Sequence, residues 1–179
     1  MVQTKNAEVT LRPLSELDAR VISRAFAAIG WNKPVQQYVD YLAEQQHDIR
    51  RCWVALVENE FSGYVTLHFN PLYPGIAGKG IPEIQDLNVL PQYRRQGIAS
   101  RLLDHAEESA ATRASKVAIG VGLHPGYNAA QRLYVLRGYA PDGLGVTYRD
   151  RYIEEGELLH ADDDLVLHFI KELHSRGWG

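Results

Sequence analysis

Leu87-Asn88-Val89-Leu90-Pro91-Gln92-Tyr93-Arg94-Arg95-Gln96-Gly97-Ile98-Ala99 is the stretch on which the fold of this chain turns. A strand-like run ends at Leu90, because Pro91 has no N–H to give to a ladder. A turn with Arg94, Arg95 and Gly97 follows, and then Ile98, Leu102, Leu103 and Ala106 recur at helical spacing, which predicts a helix over Gly97 to Ala111. The unpaired N–H groups and the dipole of such a helix start form an anion site suited to a pyrophosphate. Gly97 and Ala99 are small where a phosphate needs close approach to the backbone. The spacing is neither Gly-x4-Gly-Lys-Ser/Thr nor the three-glycine dinucleotide fingerprint.

Upstream, Glu83 to Leu90 reads as a strand with an irregular phase. Leu87 and Val89 share a face, and Ile84 is out of step with them. One extra residue would return Ile84 to the core, which is the trace of a β-bulge. Before it come a short strand (Glu8 to Arg12), a helix from Leu14 to Ile29 closed by Gly30, and a second helix after Pro34 carrying Val35, Tyr38, Val39 and Leu42. Cys52 to Val57 and Tyr64 to Phe69 then form a hairpin through Glu58, Asn59 and Glu60. Pro71 to Pro82, rich in Gly and Pro, is a loop long enough to suggest function. Downstream, Val117 to Val121 is a strand, Tyr127 to Arg137 a helix ended by Gly138, and Val146 to Tyr148 and Leu165 to Ile170 late strands. The order β, α, α, β, β, β, α, β, α, β, β is mixed α/β of the α+β type with a largely antiparallel first half.

At 179 residues, with no repeat or linker, the chain is expected to be one domain over 1–179. Its apolar runs fall short of the roughly 20 residues of a membrane span, and the opening MVQTKNAEVTLRP lacks the apolar core of a leader, so a cytoplasmic protein without membrane contact is expected. A single cysteine, Cys52, excludes an internal disulfide and a Cys-cluster zinc site. His47, His68, His105, His160, His168 and His174 lack metal-ligand spacing, and no metal is expected. The net charge of −3 argues against nucleic acid. Seven acids against one base, Arg151, lie between Asp150 and Asp164, and the rest of the chain carries 15 acids and 18 bases. That stretch reads either as a solvated loop or as a funnel for a cation.

The chain resembles the GCN5-related N-acetyltransferase (GNAT) family. Arg94-Arg95-Gln96-Gly97-Ile98-Ala99 fits that family's Arg/Gln-x-x-Gly-x-Gly/Ala motif, and Leu87-x-Val89-x-Pro91-x-x-Arg94 fits the approach to it. Ala130-x-x-Leu133-Tyr134-x-x-x-Gly138-Tyr139 looks like its second motif, the likeness covering Ile84 to Tyr139. The resemblance implies a single-domain fold with a central, mostly antiparallel twisted sheet flanked by helices and a bulged strand at the cofactor site. It also implies acetyl-coenzyme A as co-substrate, held by Leu87, Val89, Arg94, Arg95, Gln96, Gly97, Ile98, Ala99 and Ser100. The family's Asn seven residues before the helix tyrosine corresponds to Tyr127, and Asn128, the next residue, is the candidate for the pantetheine arm.

Acyl transfer to an amine needs a held thioester, a base for the arriving ammonium, a donor facing the carbonyl oxygen and an acid for the thiolate. The resemblance gives the donor to the backbone N–H of Val89 and the acid to Tyr134, whose plainer reading is an aromatic packed on the sheet. Glu83 and Asp86 are the candidate bases, with His124 a third; each also reads as a solvated strand-edge or loop residue. Trp31, Tyr38, Tyr41 and Tyr73 are candidate walls of an acceptor pocket or ordinary packing. The expected partner is a small, cationic primary amine acetylated directly in a ternary complex, and a homodimer is left open. The competing function is a non-catalytic acyl-coenzyme A binding or sensing module.

Overall fold

A computed structural model describes residues 8–173; the opening heptapeptide and His174 lie outside the described residues. The elements are β1 (Val9–Pro13), α1 (Asp18–Ala27), α2 (Val35–Gln46), β2 (Arg50–Val57), β3 (Glu60–His68), β4 (Glu83–Val89), α3 (Ile98–Ala111), β5 (Lys116–Gly122), α4 (Asn128–Leu136), β6 (Ala140–Tyr148), β7 (Arg151–Tyr152) and β8 (Leu165–Glu172). The strands hydrogen-bond as one open mixed sheet in the order β1-β2-β3-β4-β5-β8-β6-β7. β4 and β5 run parallel, and the pairs β1/β2, β5/β8, β6/β8 and β6/β7 run antiparallel. Contacts group the chain into two units, Met1–Leu67 with Asp86–Ala106 and His68–Gln85 with Glu107–Gly179.

In the first unit, Leu14, Ala19, Ile22, Phe26, Tyr38, Cys52, Val54, Phe61, Tyr64 and Leu90 form the core. Phe26 stacks on Trp31 at 5.7 Å and meets Phe61 and Tyr64 edge-on at 6.0 and 5.9 Å. The first helix is shorter than its apolar spacing predicts. Leu14 donates its N–H to Cys52 O at 3.0 Å, which prolongs the strand pairing past Pro13, and Leu17 is 84% exposed. At the first residue of the helix the Asp18 carboxylate accepts from the Ser15 N–H and hydroxyl at 2.8 and 2.7 Å and from both arms of Arg12 at 2.7 Å, which ties the helix start to the end of β1. In α2 only Tyr38 is buried, and Val35 and Val39 of the expected face point outward. The β2–β3 hairpin turns as expected on Glu58 and Asn59, both left-handed at φ 50° and 69°. Ile98, Leu102, Leu103 and Ala106 of α3 are all buried, as their spacing predicts.

In the second unit, Glu83 and Ile84 of β4 pair with Ala118 and Ile119, and β5 pairs with β8 from Lys116↔Glu172 to Gly122↔Val166. β6 begins six residues before the expected Val146, and its register with β8 shifts between Pro141 and Val146. That shift accommodates Gly143 and Gly145, both left-handed, and their presence hides the strand from a pattern-based reading. β7 is an unexpected addition, joined to β6 by Arg149 and Asp150 at φ 51° and 58°. Glu107 accepts from Arg137 and from Tyr139 at 3.0 Å and from Lys171 at 2.6 Å. Lys116 pairs with Glu172 at 2.8 Å, and Lys79 donates to Gly75 O at 2.7 Å.

Candidate active site

The strand that carries both candidate carboxylates is kinked. Asp86 sits inside β4 at φ 53°, and Ile84, out of step with Leu87 and Val89 in the sequence, is buried. A left-handed residue is foreign to a strand, and Asp is among the few residues other than Gly that tolerate it. Five donors hold it there. Lys33 Nζ and Asn88 Nδ2 reach Oδ1 at 2.6 and 2.8 Å; Gln37 Nε2, Tyr64 OH and Tyr41 OH reach Oδ2 at 2.6, 2.6 and 3.0 Å. Burial, reinforced by the Asp86 charge, pushes both phenols well above the usual tyrosine range, so they stay protonated and donate. A carboxylate so occupied is suited to fixing the kinked backbone. The crossing strand is tight here as well: a Cβ on Gly63 would lie 2.5 Å from Asn88 O and 3.2 Å from Val89 Cα.

The turn after β4 begins with a 3-10 turn over Pro91–Tyr93. Arg95 and Gly97 are left-handed at φ 60° and 78°, and the first i→i−4 bond runs from Arg101 N to Gly97 O at 3.1 Å. The amides from Gly97 to Ala99 precede that bond and belong to the first turn, where N–H groups have no partner within the helix. A Cβ on Gly97 would meet no heavy atom within 4 Å, so the space over the turn is open to an anion. These residues fit a pyrophosphate. Arg94 bonds Val89 O at 3.2 Å through Nε and lies 5.8 Å from the centre of the Trp31 ring; Gln96 bonds Gln92 O at 3.3 Å. Ile98 is buried under the turn, Ala99 and Ser100 are half-buried, and Leu87 and Val89 are half-buried on β4. The first unit thus brings together Leu87, Val89, Asp86 and Arg94 to Ser100.

The second unit holds Glu83, His124, Asn128 and Tyr134. Glu83 is 5% exposed; its Oε2 accepts from Gln85 Nε2 at 2.7 Å and its Oε1 lies 3.3 Å from His168 Nε2. The solvated strand-edge reading of Glu83 therefore fails. Tyr134 is buried in α4, with its ring 6.0 Å from that of Tyr139, and burial pushes its phenol well above the usual range. Asn128 is exposed at the first position of α4, and Tyr127 donates to Asp163 at 3.0 Å. His124 accepts from Gly126 N at Nδ1 (3.1 Å) and contacts Asp163 through Nε2 at 2.9 Å, so both ring nitrogens are engaged. In the acidic stretch, Glu157 is bound by Arg151, Asp162 by Tyr148, Asp163 by His124 and Tyr127, and Asp164 by Arg149. Among the described residues Asp150, Glu154 and Glu155 carry no such side-chain bond.

Of the four aromatic candidates for an acceptor wall, Tyr38 and Tyr73 are core residues, Tyr41 turns to Asp86, and Trp31 is exposed. The sequence reading missed the partners of Asp86, namely Lys33, Gln37, Tyr64 and Asn88, and missed His168. Gln37 and Tyr41 are spaced i, i+4 and bond each other at 3.1 Å, a signal available in the sequence. For His168 the signal was a lone polar residue within the apolar run Leu165 to Ile170.

The profile of the acetyltransferase (GNAT) family matches residues 19–139. Among curated proteins none matches the chain in sequence. Solved structures share its fold at low identity, three of them as follows. An N-acetyltransferase from Staphylococcus aureus Mu50 has a TM-score of 0.69 at 16% identity, over 94% of this chain and 100% of that one. A spermidine N-acetyltransferase chimera from Vibrio cholerae has 0.66 at 18%, over 93% and 96%. Arabidopsis thaliana NAA60 in complex with acetyl-CoA has 0.67 at 18%, over 93% and 99%. Among the described residues no helix is long and apolar enough to cross a membrane.

Proposed function

The chain belongs to the acetyltransferase (GNAT) family, and from that premise we propose that it moves an acetyl group from acetyl-coenzyme A to a primary amine of a small, cationic acceptor, directly within a ternary complex. The observation that carries the reading is the kinked strand, left-handed at Asp86, running into a turn that is left-handed at Arg95 and Gly97 and opens into the first turn of α3. Acetyl-coenzyme A supplies the acyl thioester. The amides of Gly97 to Ser100, with Arg94, Arg95 and Gln96 around them, would hold the pyrophosphate, and Leu87 would hold the pantetheine arm; Asn128 is a further candidate contact to that arm. The Val89 amide of the kinked strand would donate to the carbonyl oxygen.

Glu83 is assigned as the base: it is sequestered from water, and each of its oxygens has a neighbour that orients it. Asp86, with five donors on it, is assigned to anchoring the kink. Burial pushes the Tyr134 phenol well above its usual range, so it holds its proton near neutral pH, and it gives that proton to the departing thiolate. Direct transfer is favoured by the state of Cys52, whose thiol burial pushes up to about 12, leaving it a poor nucleophile. An acceptor of spermidine type is supported by the activity named for the Vibrio cholerae chimera, and Asp150, Glu154 and Glu155 are the acids left to attract it.

The test is release of coenzyme A thiol from acetyl-coenzyme A in the presence of a panel of polyamines, monoamines and amino-terminal peptides. Acceleration by polyamines above the rate without amine is expected. Tight binding of acetyl-coenzyme A with no acceleration by any amine would overturn the reading in favour of a non-catalytic binding module.

A further inference from the structure

Outside the turn and the kink, the second unit buries a polar group that the roles assigned so far do not use. His168, in the middle of β8, is 3% exposed, and its Nδ1 is buried without a hydrogen-bond partner. Its other nitrogen, Nε2, lies 3.3 Å from Glu83 Oε1. Tyr73 lies flat on the ring, with 3.5 Å between centroids and 3° between planes, and its hydroxyl donates to Asp142. Across the ladder His168 is opposite Gly120, where a Cβ would come within 3.2 Å of Nε2 and 2.8 Å of Val166 Cγ1. The slot is therefore shaped for an imidazole: a missing side chain on one strand, a stacked ring on its face and a carboxylate at its edge. Leaving a buried nitrogen unpaired is unfavourable, and such a group in a native core calls for an explanation.

We infer that His168 is the positioning residue for Glu83. This rests on Glu83 being the base. With its proton on Nε2, the ring donates to Oε1 and fixes the carboxylate rotamer, as Gln85 does at Oε2. The Nδ1 lone pair is then the one place on the ring for a further proton. Among the described residues the ring is faced by Glu83 from β4 and Tyr73 from the loop before it, with Asp142 of β6 and Tyr152 of β7 behind Tyr73 and Gly120 opposite on β5. Burial and the Asp142 bond push the Tyr73 phenol far up, so it stays protonated throughout.

Two measurements test this. Long-range proton–nitrogen NMR spectra of the labelled, ligand-free protein locate the ring proton. The ring proton is expected on Nε2, facing the Glu83 carboxylate. A proton on Nδ1 overturns the pairing. In kinetics, His168→Gln keeps a donor toward Glu83 and should retain kcat within about threefold, whereas His168→Leu should lower kcat roughly tenfold or more with little change in acceptor KM. A kcat reduced about tenfold or more in folded His168→Gln, or a wild-type kcat in His168→Leu, overturns the role. Wild-type turnover by Glu83→Gln is a separate failure, that of the base assignment, and the ring spectra still decide the pairing.

Discussion

Replacing Asp86 by Asn changes one atom and removes one charge, and the surroundings of the carboxylate say how much that should matter. An amide at this position has one acceptor oxygen and one donor nitrogen. If the nitrogen takes the place of Oδ1, it meets Lys33 and Asn88; if it takes the place of Oδ2, it meets Gln37, Tyr41 and Tyr64. At least two charge-assisted bonds are lost in either orientation, each worth roughly 1.5 kcal/mol at the lower end of the usual range. The Asp86 and Lys33 side chains are 17% and 21% exposed, so water screens part of the ion pair, and the expected loss is about 2–4 kcal/mol. Asn tolerates the left-handed backbone about as well as Asp, so strain at φ 53° does not confound the comparison. Urea unfolding should give a lower midpoint at unchanged slope, and a cycle with Lys33→Met isolates the ion-pair share. A loss under about 0.5 kcal/mol would mean that the five donors find water equally good, and the anchoring role of Asp86 would be refuted.

At the phosphate turn, Gly97→Val should weaken coenzyme A binding far more than Arg95→Ala does, because a β-branched residue is strained at φ 78° and its methyl groups enter the open space above the turn; equal affinities in calorimetry would refute it. Tyr134→Phe should leave the cofactor bound while kcat falls about 100-fold, and an unchanged kcat would make the tyrosine a packing residue. Burial opposes the charged form of Asp18, but the bonds from Arg12 and Ser15 prevail and hold it below the usual carboxylate range. The stability it contributes is therefore complete above the unfolded value near ~3.9 and disappears as pH falls through the lower folded value. The gap in unfolding midpoint between wild type and Asp18→Asn should be steady above about pH 5 and close below about pH 4, and a gap that does not close refutes the linkage.

What the sequence revealed was whatever rests on local periodicity and backbone chemistry. The buried face of α3, the turn at Gly97 and the kink announced by Ile84 were all visible, because each depends on spacing within a few residues. The start of α1 was misplaced because Leu14 and Leu17 fit the helical period while Leu14 was pairing with Cys52, a contact 38 positions away. The β6–β7 hairpin escaped because its left-handed pair is Arg149-Asp150 in place of Asn-Gly. Four of the five partners of Asp86 come from α2, β3 and the segment before α2, and His168 reaches Glu83 from 85 positions away, so no window of sequence contains either cluster.

The ion pair of Lys33 has a further consequence for a protein that handles an acylating reagent. Such a catalyst is exposed to self-modification, since any amine carrying an open lone pair near the thioester is a rival acceptor. The chain has five lysines against fourteen arginines, a composition that already limits rivals. The four lysines among the described residues all have their nitrogens taken up: Lys33 by Asp86, Lys79 by the Gly75 carbonyl, Lys116 by Glu172 and Lys171 by Glu107. An ammonium committed to an acceptor presents no nucleophile. Mass spectrometry after prolonged incubation with acetyl-coenzyme A alone should find these four unmodified in the wild type, with Lys33 acetylated once Asp86→Asn sets it loose; rapid acetylation of Lys33 in the intact protein would show that the pair gives no such protection.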